Sequence, residues 1–163
     1  MTSNNIEFVY QDRIFEIKNP DPNEILLNYI RTKLKKIGSK NGCSEGGCGA
    51  CTVVLGEIKN NEINYQAINS CITFLLTLQG KQLILVEDLI SKDGSLHPVQ
   101  QAMVNYHGSQ CGICTPGFVM SLFSMFKKHS KFKDDEIKDS IAGNLCRCTG
   151  YQPIIKAAKS LKN

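Results

Sequence analysis

The sequence predicts an α+β fold in which a small β-sheet with one packed helix is followed by a bundle of four short helices. Two observations support this prediction. Segments that alternate between apolar and polar residues are confined to the first half of the 163-residue chain, whereas proline-initiated helical segments dominate the second half. The 8 cysteines are divided equally between the halves. Each half is near the size at which a hydrophobic core alone is marginal, so we expect the cysteines to provide an additional constraint.

The first half begins with a predicted β-hairpin, because residues 6–10 and 13–17 both alternate and only two residues separate them. A helix is predicted from Asp21, an acidic cap that is followed by proline and then by glutamate. Its buried stripe would consist of Leu26, Ile30 and Leu34. Further strands are predicted over residues 52–55 and 82–86.

The second half is predicted to be helical. Three of its four predicted helices begin with proline, a common residue in the first turn. Their ranges are 98–106, 116–128, 134–142 and 153–161. Short helices with cysteines between them indicate a small four-helix bundle. We place the domain boundary so that the domains comprise residues 1–85 and 86–163.

The first cysteine set has the C-x4-C-x2-C spacing of plant-type ferredoxins, with a fourth cysteine further along the chain. Its members are Cys43, Cys48, Cys51 and Cys71. A [2Fe–2S] cluster needs four thiolates, and three of them can come from one tight loop. Several glycines would let this loop wrap closely and point its N–H groups at the sulfurs, namely Gly42, Gly46, Gly47 and Gly49. The prediction for this half is a ferredoxin-like (β-grasp) domain.

The second cysteine set has the spacing C-x2-C followed later by C-x-C. Its members are Cys111, Cys114, Cys146 and Cys148. Both pairs lie in connections between predicted helices, so we expect a second cluster at one end of the bundle. A helix that begins just after Cys114 would direct the positive end of its dipole at an anionic centre there.

Composition and hydropathy disfavour several other classes of protein. The N-terminus lacks a secretory pattern, and no apolar run approaches the roughly 20 residues that cross a bilayer. We therefore expect a cytoplasmic chain with reduced thiols and no membrane partner. The net charge of +4 is mild and its lysines are scattered, which argues against nucleic acid. No P-loop or dinucleotide fingerprint indicates a flavin or nicotinamide site in this chain.

The sequence alone leaves three other roles open for the cysteines. Two zinc knuckles could form from Cys48 and Cys51 with Cys111 and Cys114, but this would leave four cysteines unused. A disulfide framework is disfavoured by the expected compartment and by the single residue between Cys146 and Cys148. No cysteine stands out as a nucleophile with a histidine partner. The histidines are interpreted as surface or core residues, namely His97, His107 and His129.

Three stretches, in this order, resemble the iron–sulfur subunit or domain of the molybdenum hydroxylases, the xanthine dehydrogenase and aldehyde oxidase family. They are residues 42–53, 110–117 and 143–151. The resemblance covers nearly the whole chain. Residues 96–103 and 108–111 are especially similar to bacterial xanthine dehydrogenase small subunits.

The resemblance implies an electron relay in a xanthine dehydrogenase-type, purine-hydroxylating complex. A molybdenum–pterin centre in a large partner subunit would hydroxylate the substrate. Electrons would then pass through the helical-domain cluster and the ferredoxin-like cluster to FAD in another subunit or domain. The resemblance also places Gln110 and Cys148 near the pterin. The chain alone is not expected to turn over substrate.

Several alternatives stay open at this point. The chain could serve an aldehyde, carbon monoxide or N-heterocycle dehydrogenase of the same family, or could be a free-standing ferredoxin-like shuttle. A zinc-stabilised interaction module is a further alternative. Similar relatives often continue into a FAD-binding domain, whereas this sequence stops at Asn163. FAD is therefore expected either on a separate polypeptide or on a longer form of this chain.

Overall fold

The computed structural model describes residues 5–128 and 131–162. Within these residues the chain forms five strands and five α-helices. The strands are β1 (Asn5–Tyr10), β2 (Arg13–Lys18), β3 (Thr52–Lys59), β4 (Glu62–Asn69) and β5 (Gln82–Ile84). The helices are α1 (Leu26–Thr32), α2 (Pro98–Asn105), α3 (Thr115–Lys128), α4 (Asp134–Ile141) and α5 (Gln152–Ser160). The predicted α+β class is confirmed.

The strands form one mixed sheet with the order β2-β1-β5-β3-β4. The predicted hairpin is confirmed, since β1 and β2 pair in antiparallel register from Asn5 opposite Lys18 to Tyr10 opposite Arg13. Its two turn residues have positive φ angles, which suit the twist of a two-residue hairpin. β5 pairs in parallel with β1 and antiparallel with β3, so it joins the two hairpins into one sheet.

β4 was missing from the sequence prediction, and β3 is longer than predicted. The two strands form a second hairpin that pairs Thr52 with Asn69 and Lys59 with Glu62. Asn60 and Asn61 make its turn, both at positive φ, a conformation that asparagine tolerates better than most residues. The signals were present in the sequence, because β4 alternates polar and apolar residues and follows an Asn-Asn pair.

The helix predicted from Asp21 begins five residues later, at Leu26. The carboxylate of Asp21 instead accepts the N–H of Asn23 at 2.9 Å in a local turn. Ile25 then forms a β-bridge with Phe74, a distant pairing that holds the chain extended up to the helix start. Two members of the predicted apolar stripe, Leu26 and Ile30, are fully buried within α1.

The four helices of the second half start and end within one residue of their predicted positions, and the four-helix bundle is confirmed. Local signals explain this accuracy. Pro98 opens α2, where the His97 side chain accepts the N–H of Val99 as an N-cap. Asp134 starts α4 and pairs with Lys159 of α5 at 2.7 Å. No helix in the described ranges combines the length and apolarity that a bilayer-spanning segment would need.

The sheet lies between α1 on one face and α3 on the other. Side chains of β3 alternate between these faces: Val53 and Leu55 join the core that includes α1, and Val54 joins the core built around α3. All three are at most 4% exposed. The helical half is therefore packed directly on the sheet of the first half, since burial of apolar area on both faces stabilises the contact.

Candidate iron–sulfur sites

The first cysteine set is assembled by two segments of the N-terminal half. Cys43, Cys48 and Cys51 lie in the loop between α1 and β3, and Cys71 follows β4 in a short 3-10 turn. Pairing of β3 with β4 brings the ends of these segments together, and the Ser70 hydroxyl donates to the Cys51 carbonyl at 2.7 Å. The thiols meet as two pairs, Cys43 with Cys48 and Cys51 with Cys71.

Backbone N–H groups of this loop point at the sulfurs. The Glu45 N–H donates to Cys43 Sγ at 3.5 Å, and the amide of Gly46 donates to Cys71. The Glu45 N–H first, and a hydrogen bond from the Cys48 side chain next, lower the pKa of Cys43 to about 7. Burial acts in the opposite direction on Cys71 and raises its pKa to about 11, and burial likewise raises the pKa of Cys48. The donors thus favour at Cys43 the thiolate, the form in which cysteine binds metal, whereas burial outweighs them at Cys48 and Cys71.

The second cysteine set also forms two pairs, at the end of the helical bundle. Cys111 Sγ and Cys148 Sγ lie 3.6 Å apart, and both residues are exposed. The inner pair consists of Cys114 and Cys146, of which Cys146 is buried. Burial raises the pKa of Cys114 to about 12, with the neighbouring Cys146 thiol adding to the effect. α3 begins at Thr115, directly after Cys114, as predicted.

A short loop holds Cys146 in place. Its Sγ lies 3.0 Å from the Thr149 hydroxyl and accepts the Thr149 N–H at 3.4 Å. Burial alone would raise the pKa of Cys146, but these hydrogen bonds lower it overall. The Cys146 N–H donates to the Tyr151 hydroxyl at 3.0 Å. Tyr151 itself has a φ of 66°, a conformation uncommon for a bulky residue, and its ring packs edge-on against Phe118.

The two-plus-two arrangement of thiols fits dinuclear clusters. In a [2Fe–2S] cluster each iron takes two protein ligands, so four thiols arranged as two neighbouring pairs suit one cluster. All eight cysteines are free thiols in the structure. Across residues 5–128 and 131–162, no three histidine, cysteine or acidic side chains form the compact group that a single metal ion requires. A zinc site built from two C-x2-C knuckles would join Cys48 and Cys51 to Cys111 and Cys114, whereas here the thiols of each set meet members of their own set.

The two cysteine loops are bonded directly to each other. The Leu145 N–H donates to the Cys48 carbonyl at 3.0 Å. Next to it, the Asn144 side-chain amide donates to the Gly49 carbonyl at 3.0 Å. Cys48 and Cys146, one candidate ligand from each set, are thus connected to each other by one hydrogen bond and the short backbone segments on either side of it. Sequence reasoning missed this junction, which joins residues about a hundred positions apart.

Comparisons with known proteins agree with this geometry. Residues 9–76 match the family described as 2Fe-2S iron-sulfur cluster binding domain, and residues 85–159 match the [2Fe-2S] binding domain family. The chain is 50% identical over 147 residues to xanthine dehydrogenase of Blastobotrys adeninivorans. It is 44% identical over 145 residues to aldehyde oxidase 1 of Oryctolagus cuniculus. Each alignment covers 88% of this chain but only 10% and 11%, respectively, of the relative.

A solved structure is similar over nearly its entire chain. A chain of quinoline 2-oxidoreductase from Pseudomonas putida 86 superposes with a TM-score of 0.79 and 30% identity, covering 94% of this chain and 89% of that one. The protein is an iron–sulfur domain of the molybdenum hydroxylase family. This iron–sulfur domain has two [2Fe–2S]-binding modules in the expected order and an electron-transfer role. It spans about a tenth of the length of the curated relatives named above.

The remaining predicted residues of the iron–sulfur domain occupy different places. Gln110 is exposed and precedes the exposed Cys111 at the outer rim of the helical site. His97 caps α2 and packs against the rings of Phe123 and Phe126, whereas His107 is exposed in the turn that follows α2. His129 lies outside the described residues. The structure thus places Gln110 beside the outer cysteine pair and gives His97 a role in capping and packing.

Proposed function

We propose that this domain relays electrons from a molybdenum–pterin centre in a large partner subunit, through two [2Fe–2S] clusters, to FAD in another subunit or domain. The observation that carries the proposal is the arrangement of the helical site. One side of this site, with Cys111 and Cys148, is exposed, and the other side is hydrogen-bonded to the loop of the first site. Such an arrangement gives electrons an entry point and a connected way onward.

The proposed ligands are the two cysteine sets. The ferredoxin-like cluster would be held by Cys43, Cys48, Cys51 and Cys71, and the helical-domain cluster by Cys111, Cys114, Cys146 and Cys148. When bound, each cluster would supply a one-electron couple whose potential depends on hydrogen bonds to the sulfurs and on exposure. The amides around Cys43 and the Thr149 hydroxyl near Cys146 are the groups in this chain that would adjust those potentials.

The outer rim of the helical site is the proposed surface toward the molybdenum–pterin partner. Ile113 and Leu145 lie in the two cysteine segments there and are 51% and 57% exposed. We propose that a partner subunit covers them together with Cys148 and Gln110. We propose that these last two residues contact the pterin.

The onward path is proposed to run through the junction between the loops. From Cys146, the backbone leads to the Leu145 N–H, which donates to the Cys48 carbonyl at 3.0 Å. Beyond the first site, Ile72 and Phe74 lie next to Cys71 and are 55% and 50% exposed. We propose this apolar surface as the contact for the partner that carries FAD.

We also propose the boundary between the two modules at residue 85. β5, which ends at Ile84, is the last strand among the described residues, and the described elements that follow it are helical. We propose a purine-hydroxylating complex because one relative, 50% identical over 147 residues, is a xanthine dehydrogenase. The need for reduced thiols in both sites supports a cytoplasmic location.

The test is metal and redox analysis of an anaerobic preparation. We expect about four irons and about four acid-labile sulfides per chain, with two distinct reducible signals by electron paramagnetic resonance (EPR). The chain should be recovered with molybdenum- and FAD-containing subunits, and a substrate panel on that complex should show purine oxidation. Stoichiometric zinc without sulfide would exclude the proposal. Substrate turnover by the metal-loaded chain alone would contradict the relay role.

A further inference from the structure

Asn144 is a buried polar residue at the junction of the two cysteine loops. It is 3% exposed, and both ends of its side-chain amide are bonded to other segments. The Nδ2 group donates to the Gly49 carbonyl at 3.0 Å, and Oδ1 accepts the Ser121 hydroxyl at 2.6 Å. One side chain therefore links the loop before Cys146, the loop that follows Cys48 and helix α3.

The packing is tight on the side of this amide that faces Gly49 and Gly117. Gly49 has a φ of 68°, and a Cβ atom there would collide with the Asn144 amide and the Gly143 carbonyl. A Cβ atom on Gly117 of α3 would collide with the Gly49 carbonyl. Glycine at these two positions allows α3 and the loop to approach backbone to backbone.

The bond from Asn144 is not needed merely to satisfy the Gly49 carbonyl. That carbonyl already accepts the Thr52 hydroxyl at 2.7 Å and the Thr52 N–H at 3.2 Å, both from its own half of the chain. What Asn144 adds is a connection to the other half. The Asn144–Gly49 hydrogen bond is adjacent to the Leu145–Cys48 hydrogen bond, because its partners are one residue away in each of the two cysteine loops.

We propose that Asn144 is a positioning residue that fixes the two cysteine sites relative to each other for electron transfer between them. The inference rests on the relay proposed above. Asn144 acts through its neighbours: by holding Gly49 against its own loop, it keeps the Leu145 N–H on the Cys48 carbonyl. Ser121 orients the amide so that its NH2 group faces Gly49.

Two buried serines of α3 provide a matched comparison. Ser121 and Ser124 are 6% and 4% exposed and lie one helical turn apart. Both bond to another part of the chain, Ser121 to Asn144 at 2.6 Å and Ser124 to the Tyr65 carbonyl at 3.2 Å. Alanine at either position removes one buried hydroxyl, but only Ser121→Ala disturbs the junction. Ser124→Ala is therefore the control for loss of a buried hydrogen bond as such.

The experiment compares the full, iron-loaded chain with Asn144→Ala, Ser121→Ala and Ser124→Ala. Iron and sulfide contents are measured first, because their absence from the wild-type chain would refute the relay and not this inference. Three readouts then report on the junction: the spin–spin interaction between the reduced clusters by EPR, the rate of electron equilibration after pulse reduction, and hydrogen exchange in the peptide of residues 143–148.

We expect Asn144→Ala to slow electron equilibration by about 10-fold, the low end of the losses in activity that follow removal of a residue bonded directly to a metal ligand, because Asn144 acts on the ligand loops and not on a sulfur. It should also alter the spin–spin interaction and accelerate exchange at Leu145. Ser121→Ala should change all three in the same direction by less, and Ser124→Ala should match the wild type. Loaded Asn144→Ala and Ser121→Ala chains with wild-type values would overturn the inference, as would equal effects of Ser121→Ala and Ser124→Ala. If Asn144→Ala fails to load iron, the two serine variants decide by the same criteria.

Discussion

Replacing Gly117 by alanine has two opposite effects on the free energy of unfolding, and the size of each can be estimated. Gly117 is the third residue of α3, in its first turn, where alanine is favoured over glycine by at most the roughly 1 kcal/mol of a helix interior. The new methyl group, however, would overlap the backbone carbonyl of Gly49, which cannot rotate away as a side chain could. Overpacking of a filled core costs about 1–3 kcal/mol, and a backbone obstacle places this site at the upper end. We therefore expect a net loss of about 2 kcal/mol.

The assay is the apparent melting midpoint of the iron-loaded chain, followed by circular dichroism. For a protein of this size, about 2 kcal/mol corresponds to a decrease of about 4–8 °C. Gly143→Ala is the control, because no heavy atom lies within 4 Å of a Cβ atom there. Its free energy of unfolding should stay within about 0.5 kcal/mol of the wild-type value, so its midpoint should shift by no more than about 2 °C. A Gly117→Ala midpoint at or above the wild-type value would refute the close backbone approach of α3 and the cysteine loop.

Three further predictions concern other parts of the chain. Cys43→Ser should remove one of two reducible EPR signals and leave the other, and loss of both signals would contradict two separate clusters. Burial, aided by the charge of Lys127, lowers the pKa of His97 from its ordinary value of 6.5. The contribution of neutral His97 to the free energy of unfolding is therefore complete above about pH 6.5, and it is lost as the pH falls toward the lower pKa of the folded state. Denaturation from pH 7.5 to 5.5 should show this slope in the wild type but a smaller one in His97→Asn, which keeps a good N-cap. Asn61→Val should lower the free energy of unfolding by about 1–2 kcal/mol, because φ is 63° there, whereas Asn61→Gly should not.

The sequence predicted those elements whose signals are local. The proline-initiated helices were found to within one residue, because an N-terminal proline or a capping residue acts within one turn. The start of α1 was wrong because Ile25 pairs with Phe74, and no local signal reports such a distant partner. β4 was not predicted, although its alternation of polar and apolar residues and the Asn-Asn pair before it are present in the sequence.

The candidate site, too, could be predicted from the sequence only where its signals are local. Cysteine spacing alone indicated which loops would carry thiols, because a cluster needs several ligands from one tight segment. The junction between the sites was not predictable, since Asn144 and Gly49 are 95 residues apart and meet only when α3 packs on β3. The glycines of the first loop were attributed to wrapping around a cluster. For Gly49 the structure adds a second reason, the close approach of Gly117 and Asn144.

The shared core bears on the choice between a fixed relay and a free shuttle. A shuttle needs one redox site and an open surface, and two modules joined by a loose linker would hold their sites at varying distances. Here α3 begins directly after Cys114 of one site, buries Phe118 and Leu122 in the core that also contains Val54, and packs at Gly117 against the loop of the other site. The helix that follows a thiol of the second set is therefore the same one that covers the sheet supporting the first set. Any motion that separated the sites would expose this core, so the cost of separating them is part of the folding free energy. A chain built this way keeps two redox sites at a constant separation, which is a requirement of a relay and not of a shuttle.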